Sequence, residues 1–337
     1  MKQEQRMIGH SLALSETLEQ VTRLAPINRP VMILGERGTG KELIAERLHF
    51  LSQRWDEEFI KLNCAAFSEN LLDAELFGHD SGAFTGATKS RAGVFERAHG
   101  GSLLLDELGT MDARVQEKLL RVIEYGELTR LGGQQARSVD VRLITSTNEN
   151  LEQAMDEGRF RADLIDRLTF AVIHVPPLRE RKDDIPDLAD HFAMKMAIEL
   201  GHEQFSGFSS TAMEQLMDWH WPGNIRELKN TIERSVALND DPSEPVEHIL
   251  LDPLRKPNTG STSASTEGNT KLELPEQIDF QQHIAEYEQA VVYQIFRRQQ
   301  GNQQTTADAL GLTYHQLRAW FKRHNIQPKN WVRPKNA

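Results

Sequence analysis

A glycine-rich run that ends in a lysine is the most chemically specific feature of the sequence. It reads Gly35-Glu-Arg-Gly-Thr-Gly-Lys41, with an apolar run before it and a helical pattern after it. Glycines let backbone N–H groups approach a phosphate closely, while a helix N-terminus and a lysine balance its charge. A plain glycine-rich turn is the alternative, but it requires neither the lysine nor the helix. We predict a nucleotide-phosphate site formed by Gly35, Glu36, Arg37, Gly38, Thr39, Gly40, Lys41 and Glu42.

Two acidic residues after another apolar run are able to complete such a site. Asp106 and Glu107 follow residues 103–105, which are all leucine. We assign Asp106, at the end of a buried strand, to holding Mg²⁺ directly or through water. We assign Glu107 to polarising the water that attacks the phosphate. Because Glu42 replaces the Ser/Thr whose hydroxyl usually touches the metal after Lys41, the metal must use other ligands.

Two asparagines also end predicted strands. Asn63 ends one such run, and Asn148 follows another that finishes at Thr147. In an open parallel sheet, ligands bind outside the carboxyl ends of the strands, where Lys41, Asp106 and both asparagines would converge. Ordinary turn residues are the alternative for the asparagines taken alone.

Arg161 and Arg167 lie in Phe160-Arg-Ala-Asp-Leu-Ile-Asp-Arg-Leu168. A guanidinium offered to a γ-phosphate stabilises the charge that develops in phosphoryl transfer. The alternative is a pair of surface salt bridges to Asp163 and Asp166, and residue chemistry alone favours that alternative.

The scaffold for these residues follows from apolar periodicity. Strands are predicted over 31–34, 59–63, 103–105, 141–146 and 171–175, with helical patterns between them. Such alternation predicts an α/β fold with a doubly wound, mainly parallel sheet. From residue 176 to about 238 the pattern becomes mostly helical, which indicates a smaller lid.

The C-terminal region has a different composition. Residues 256–270 are rich in Ser, Thr, Asn and Gly, which is typical of a flexible linker. Residues 287–337 carry eight Lys/Arg and two acids, a net charge of +6, so the remainder of the chain is at −17. This asymmetry indicates a separate module for a polyanion.

Helical patterns in this module predict a helix-turn-helix. An apolar stripe at Ile284, Tyr287, Val291 and Ile295 precedes two short helices, the second opened by a Thr313-Tyr-His-Gln316 capping box. We expect three residues of this last helix to face inward: Leu317, Trp320 and Phe321. A basic outer face on such a helix is typical of DNA binding, with a solvated face of a small bundle as the alternative. The predicted DNA-binding residues are Thr313, Tyr314, His315, Gln316, Arg318, Lys322 and Arg323.

The bulk numbers restrict the class of protein. The chain has 337 residues, a net charge of −11 and a single cysteine, Cys64. One cysteine excludes an internal disulfide and suits a reducing cytosol, so we predict a cytoplasmic protein. No leader-like or membrane-length apolar run occurs, and the twelve histidines form no zinc-type cluster.

Several runs together resemble one family. Besides the glycine run and the acidic pair, the sequence contains Glu75-Leu-Phe-Gly-His-Asp-Ser-Gly-Ala-Phe-Thr-Gly-Ala87 and Trp221-Pro-Gly-Asn-Ile-Arg-Glu-Leu228. From about residue 7 to 238 the chain resembles the bacterial enhancer-binding proteins, which are AAA+ activators of sigma-54 RNA polymerase. The GAFTGA motif at 82–87 is highly specific to that family.

The resemblance implies roles for the residues left open above. Members commonly carry Glu after the lysine, as at Glu42, and bind ATP with Mg²⁺ between subunits of a ring, usually a hexamer formed from dimers at rest. Arg161 and Arg167 correspond to arginine fingers that serve a neighbour's nucleotide. Asn148 and Arg226 correspond to the two sensors, and Asn63 to an asparagine that couples the catalytic glutamate to the nucleotide.

The resemblance also gives the GAFTGA loop a partner. An aromatic ring on a glycine-flanked tip is unfavourable in water unless a partner covers it, although a buried turn aromatic is the alternative without that context. The family contacts sigma-54 through this loop, here Gly82, Ala83, Phe84, Thr85, Gly86 and Ala87. A second loop, 130–138, is expected to be mobile and to assist.

The implied domain layout is an AAA+ α/β subdomain at 7–175, a helical lid at 176–250, a linker at 251–277 and a Fis-type helix-turn-helix domain at 278–337, which binds enhancer DNA. The AAA+ pattern begins within ten residues and leaves no room for a regulatory domain, so we expect control by a partner. Members that activate phage-shock (envelope stress) genes share this layout. This likeness implies phage shock protein A as an inhibitory partner, with Trp55 as a docking residue or as simple packing.

Two alternatives for function remain open. One is an AAA+ remodelling ATPase of another class, which would not need GAFTGA, so that Phe84→Ala separates it. The other is a DNA-binding repressor that uses ATP only as a ligand, and it would tolerate Glu107→Ala.

Overall fold

A computed structural model of the chain describes residues 7–84, 87–202, 204–239, 241–251, 280–299, 301–324, 326 and 328. Within these ranges it describes every side chain except those of residues 69, 70, 280–287 and 290. Residues 252–277 of the predicted linker, together with Thr85 and Gly86 of the GAFTGA motif, lie outside the described residues. Contacts divide the chain into two compact units, Met1–Lys256 and Pro257–Ala337.

A five-stranded parallel sheet forms the centre of the first unit. The strands run in the order β2-β3-β6-β1-β7. They are β1 (Val31–Leu34), β2 (Phe59–Asn63), β3 (Ser102–Asp106), β6 (Arg142–Thr147) and β7 (Ala171–His174). All five match predicted strands, with ends that differ by at most one residue. The prediction of a doubly wound parallel sheet is confirmed.

Helices cover both faces of this sheet because its strands are apolar on both sides. Leu103 and Leu105 of β3 pack into one core cluster, whereas Leu104 packs into the cluster on the opposite face. The helices of this part are α1 (Leu12–Leu24), α2 (Lys41–Phe50), α3 (Glu69–Phe77), α4 (Val94–Arg97), α5 (Ala113–Tyr125), α6 (Leu151–Asp156) and α7 (Ala162–Leu168). Short 3-10 turns occupy Cys64–Ala66 and Leu108–Thr110.

A second, two-stranded antiparallel sheet was not predicted from the sequence. It joins β4 (Glu127–Thr129) to β5 (Ala136–Ser138), with Leu128 opposite Arg137. Three-residue strands are too short to give a clear alternation of apolar and polar residues. The loop expected at 130–138 therefore ends in a strand.

The lid has its own core. It consists of the 3-10 turns Leu178–Glu180 and Lys182–Asp184, followed by α8 (Ile185–Glu199), α9 (Ser210–Asp218) and α10 (Asn224–Ala237). Trp221 is fully buried there and its Nε1 donates to Leu216 O at 2.8 Å. The predicted helical lid is confirmed.

A buried arginine fastens two helices to the sheet. Arg142, at the start of β6, donates to Ala25 O at 2.6 Å, Leu24 O at 3.0 Å and Leu48 O at 3.3 Å. These carbonyls lie near the C-termini of α1 and α2, where the helices leave carbonyl groups without an intrahelical partner. Burial lowers the pKa of Arg142 to about 10.

The second unit contains α11 (Phe280–Arg298), α12 (Gln303–Ala309) and α13 (Tyr314–Arg323). Its buried core is formed by Val292, Phe296, Ala307, Leu317 and Phe321. Of the predicted stripe, the side chains of Ile284 and Tyr287 lie outside the described ones. Val291 and Ile295 are only partly buried, whereas the neighbouring Val292 and Phe296 are buried. The α11 sequence is apolar at both pairs of positions, so only the packing of α12 and α13 selects the face. Among the described residues, no helix combines the length and apolarity that a bilayer crossing requires.

Candidate nucleotide site

The predicted phosphate loop connects β1 to α2. Gly38 and Gly40 adopt φ values of +78° and +95°, which L side chains rarely tolerate. Helix α2 begins at Lys41, directly after Gly40. The loop therefore delivers backbone N–H groups and a helix N-terminus to the same place, at the carboxyl edge of the sheet.

Lys41 lies inside this loop. Its Nζ donates to Gly35 O at 2.9 Å and Glu36 O at 3.2 Å, and the residue is only 8% exposed. Burial lowers the pKa of Lys41, while the charges of Glu107 and Asp106 oppose that shift. The ammonium thus lies between the loop carbonyls and the acidic pair, where it can balance a phosphate.

Asp106 and Glu107 reach the same edge from β3. Ser146 Oγ donates to Asp106 Oδ1 at 2.5 Å, so the neighbouring strand orients this carboxylate. Glu107 has a left-handed backbone, with φ 55° and ψ 49°, and Thr110 Oγ1 donates to its carbonyl at 2.9 Å. A non-glycine residue held in this region is strained, which is common at functional sites.

The donor set at this edge fits Mg²⁺ bound with a nucleotide. Mg²⁺ usually takes one or two carboxylates and completes its shell with phosphate oxygens and water. Asp106 offers such a carboxylate, whereas no group of three or more His, Cys, Asp and Glu residues in the described part could form a protein-only metal cage. The residues thus suit a metal that arrives with phosphates.

Asn63 and Asn148 lie where the sequence predicted. Asn63 pairs in register with Asp106 across β2 and β3, and its Oδ1 accepts from Ala65 N at 2.9 Å. This bond is that of a turn cap, and no hydrogen bond joins Asn63 to Glu107. Asn148 is exposed directly after β6, the strand between β3 and β1.

The lid touches the phosphate loop through backbone. Ile225 N donates to Gly38 O at 3.0 Å, and a Cβ on Gly38 would lie 2.3 Å from Gly223 O. Buried Asn224 donates to Arg37 O at 3.0 Å and Glu36 Oε2 at 3.1 Å, and accepts from Leu178 N at 2.8 Å. The lid and the loop therefore meet without intervening solvent.

Three lid arginines approach the loop in different ways. Arg181 donates to Thr39 O at 2.8 Å, and Arg179 forms two bonds to Glu36, at 2.6 and 2.9 Å. The Arg179 bonds lower the pKa of Glu36 to about 2. Arg226 is exposed and has no hydrogen bond or ion pair in the described structure. Its charge contributes to lowering the pKa of Lys41. Because the Arg226 side chain has no such partner among the described residues, it is available to a phosphate.

A cavity next to the loop was not found from the sequence. Its volume is about 610 Å³, and its lining includes Ile8, Leu43, His191, Phe192, Ile225 and Lys229. The residues come from the N-terminal segment, α2 and the lid, so no local sequence pattern marks them. Mainly apolar walls around a space of this size suit a nucleobase.

The Glu42 side chain pairs with a lysine of β2. Its Oε1 accepts from Lys61 Nζ of β2 at 2.8 Å, and Lys61 also pairs with Glu46 of α2. Burial lowers the pKa of Lys61, but hydrogen bonds to the two carboxylates and their charges outweigh it, so the pKa is raised overall. Lys61 was missed in the sequence because nothing local links it to Glu42.

Arg161 and Arg167 are not brought to the chain's own nucleotide residues. Arg161 pairs with Asp163, with bonds of 2.6 and 3.0 Å. Arg167 is 59% exposed and pairs with Glu124 of α5 at 3.1 Å, so the alternative that named Asp166 as a salt-bridge partner is wrong for this arginine. Helix α7 directs Arg167 across to α5, whereas Asp166 precedes it by one residue and points elsewhere.

The GAFTGA tip extends from an anchored base. Gly82 has φ +85° with open space around it, and Phe84 is 43% exposed with its ring against His79 at 5.0 Å. Asp80 N donates to Leu131 O at 2.9 Å, and Arg130 donates to Glu96 at 2.7 and 2.8 Å. The two loops are therefore joined at their bases.

In the second unit, Asn302 caps α12 and the predicted capping box opens α13. Gln316 N donates to Thr313 Oγ1 at 3.3 Å, and Thr313 N donates to Gln316 Oε1 at 2.8 Å. Five of the predicted DNA-binding residues after Thr313 are exposed and Tyr314 is partly so: His315, Gln316, Arg318, Lys322 and Arg323. Trp320, expected inward, is only partly buried, and its Nε1 donates to Glu288 Oε2 at 3.2 Å.

Comparison with known proteins assigns the family. Residues 7–174 match the model of the Sigma-54 interaction domain, and residues 179–266 match that of the AAA+ ATPase lid domain. The Psp operon transcriptional activator of Escherichia coli (strain K12) is 51% identical over 320 residues, which cover 95% of this chain and 98% of that protein. The chain belongs to the sigma-54-dependent transcriptional activators.

Two further matches span a smaller share of the other protein. The Nif-specific regulatory protein of Herbaspirillum seropedicae is 50% identical over 69% of this chain, but the match spans only 43% of that relative. The crystal structure of NtrX from Brucella abortus in complex with ATP aligns with a TM-score of 0.69 and 33% identity, covering 95% of this chain and 70% of NtrX.

Membership makes the chain an ATP-binding ATPase and a transcriptional activator, and the family interacts with sigma-54 RNA polymerase. The predicted AAA+ class is confirmed, and the alternative of another AAA+ class is excluded.

Proposed function

We propose that this chain binds upstream enhancer DNA, assembles into a ring and uses ATP hydrolysis to convert closed complexes of sigma-54 RNA polymerase into open ones. The observation that carries the proposal is the exposed Phe84 ring, held on an anchored base in the same compact unit as the phosphate loop. An aromatic ring at a loop tip is unfavourable in water and suits a partner protein.

The chemistry within one chain follows from the carboxyl edge of the sheet. Lys41 neutralises phosphate charge, Asp106 holds Mg²⁺, and Glu107 orients and polarises the attacking water. The metal, when bound with ATP, supplies additional charge neutralisation on the phosphate oxygens. Asn148 and Arg226 sense the γ-phosphate from the sheet and from the lid, and the cavity beside Ile8 and Ile225 holds the adenine.

The surroundings of Arg161 and Arg167 support the proposed assembly into a ring. Arg161 and Arg167 are exposed and paired only with carboxylates of their own chain. A guanidinium can exchange such a surface pair for a phosphate at little cost, because solvent-exposed ion pairs contribute little to stability. We infer that they serve the nucleotide of a neighbouring subunit, in a hexamer that forms from dimers.

Coupling to the polymerase runs from Glu107 to the loop that carries Phe84. Asn63 lies beside Asp106, close to the acidic pair, and exchanges its cap of Ala65 for Glu107 when the nucleotide state changes. The bases of both loops are joined by Arg130, Asp80 and Leu131, so they move together. GAFTGA, residues 82–87, then contacts sigma-54.

The basic face of α13 in the second unit is the proposed DNA reader. Arg318, Lys322 and Arg323 contact phosphates, while His315 and Gln316 near the helix start face bases. As a dimer, the module reads paired half-sites, and its affinity falls steeply with salt. The proposed domain ranges remain 7–175, 176–250, 251–277 and 278–337.

Trp55 is the proposed contact for an inhibitory partner of the phage shock protein A kind. Its side chain is 62% exposed, next to Arg54, which is fixed to Asp140 by bonds of 2.7 and 2.9 Å. An exposed tryptophan beside a fixed backbone position is the kind of residue that anchors a protein interface. Phage-shock genes are the corresponding targets.

Open-complex formation by sigma-54 holoenzyme, with ATP and with a non-hydrolysable analogue, tests the proposal. We expect open complexes only with ATP. Phe84→Ala should abolish them while ATPase activity is retained. Phe170→Ala, which removes an exposed ring just before β7, should not. Equal promoter opening with the analogue would overturn the proposal.

A further inference from the structure

A buried glutamine links the segment after Glu107 to the segment that carries Arg161. Gln116 of α5 is 0% exposed. Its Nε2 donates to Met111 O at 2.8 Å and to Arg159 O at 3.0 Å, and its Oε1 accepts from Arg161 N at 2.9 Å. Since carbonyls only accept and N–H groups only donate, these three partners fix the orientation of the amide.

Backbone hydrogen bonds from Arg159 N and Phe160 N to Ala154 O hold the start of this segment, and Gln116 holds its end at Arg161 N. Arg161 is the N-cap of α7 and has no side-chain cap of its own. Phe160, between the two bonded residues, is buried in the core, whereas the side chains of Arg159 and Arg161 are exposed. The bond from Arg161 N to Gln116 therefore fixes the backbone position from which the Arg161 side chain extends.

We propose that Gln116 is the positioning residue for Arg161. This inference rests on the proposed function, in which Arg161 acts on the nucleotide of a neighbouring subunit. An arginine finger works through placement, and displacement by about 1 Å can cost about 10²-fold in rate. The bond to Met111 O orients the amide for this role, while Glu107, four residues earlier, is held separately by the bond from Thr110 Oγ1 to its carbonyl.

Subunit mixing tests this assignment. One subunit carries Arg161→Ala and keeps its own site, while the other carries Lys41→Ala and keeps its arginine. Each alone is inactive, and mixed rings should hydrolyse ATP at sites that combine the two. Gln116→Met, which keeps the volume but removes the hydrogen bonds, is then added to either subunit.

We expect Gln116→Met to lower the ATPase of mixed rings about tenfold or more when it accompanies Lys41→Ala, because that subunit supplies the arginine. The same substitution beside Arg161→Ala should leave the activity within about twofold, since no arginine remains there to position. A purely structural role would give equal losses in both arrangements and would overturn the inference, as would no loss in either.

Two further results separate this inference from its basis. If the mixed rings without any change at Gln116 stay inactive, the trans-acting role of Arg161 itself fails. Gln116→Glu provides a second variant, because it still accepts from Arg161 N but places an oxygen against the carbonyls of Met111 and Arg159. It should show the same asymmetry between subunits as Gln116→Met, and a symmetric effect of both variants contradicts the proposal.

Discussion

The carboxyl edge of the sheet and the α7 segment use charged side chains in opposite ways. At the edge, Lys41 is buried in the phosphate loop and the lid packs directly on Gly38. In the α7 segment, Arg161 and Arg167 are exposed and paired only with nearby carboxylates. The first arrangement suits a nucleotide bound to the same chain. In the second, the guanidinium groups can exchange their carboxylate partners for another anion at little cost. The proposed division of the catalytic centre between two chains rests on this difference.

The largest effect is expected from Arg161→Ala. Loss of an arginine that stabilises transferring phosphate should lower kcat for ATP by about 10³-fold, while the affinity of the chain for ATP is unchanged. Steady-state ATPase assays on assembled protein and nucleotide titration measure the two quantities. Arg159→Ala, which removes a neighbouring exposed arginine paired with Glu157, is the control and should have little effect. Reduced ATP affinity in the Arg161 variant would place this arginine in its own chain's site and break the comparison.

Glu107→Gln should have the next largest effect. Removing the group that polarises water should lower kcat about 10²-fold or more, and ATP binding should be retained because the amide keeps the same shape. Single-turnover hydrolysis and nucleotide titration test this. Glu149→Gln changes a half-buried carboxylate near the same turn, against Gly109, and is expected to hydrolyse ATP normally. Hydrolysis at the normal rate in the Glu107 variant would remove this residue from the chemistry.

Asn224→Ala tests the contact between lid and phosphate loop. It deletes three hydrogen bonds and leaves buried Leu178 N without an acceptor, so we expect a loss of about 3 kcal/mol in unfolding free energy. Chemical denaturation measures this loss. Because Asn224 has φ 53°, Asn224→Gly relieves backbone strain and should be less destabilising than alanine. Equal stability of alanine variant and parent would mean that the lid docks independently of these bonds.

Glu36 should give the smallest effect, visible only in acid. Its pKa is about 2 in the folded protein, below the ordinary 4.5, so its ionised form stabilises the fold. That contribution is complete above pH 4.5 and is lost as the pH falls towards 2. Since Glu36 is 43% exposed, we expect less than about 1 kcal/mol between parent and Glu36→Gln, shrinking over this range. Unfolding curves at stepped pH test this, and Arg179→Ala should flatten the same dependence. A difference that grows on acidification would contradict the assignment.

The sheet was predictable because its strands are continuous apolar runs between helical patterns. The β4–β5 hairpin was not, since each strand has three residues. In the second unit, α11 is apolar at both 291/295 and 292/296, so the periodicity alone did not decide which pair is buried.

At the site, local patterns identified the residues but not their long-range partners. The glycine run and the acidic pair lie where the sequence put them, because strand ends converge at one edge. Lys61 beside Glu42, Glu124 beside Arg167 and the lid residues around the cavity are all distant in sequence. No spacing rule links such positions before the chain has folded.

The backbone contact between Gly38 and Gly223 limits how lids can be exchanged between relatives. A methyl group on Gly38 would meet the carbonyl of Gly223 at 2.3 Å, and one on Gly223 would meet Glu227 at 2.7 Å. A side chain at position 38 would push against the lid backbone, whereas one at position 223 would push against Glu227 within the lid itself. Chimaeras that exchange lids between relatives should therefore keep glycine at position 38, because the carbonyl at position 223 is present whatever residue stands there.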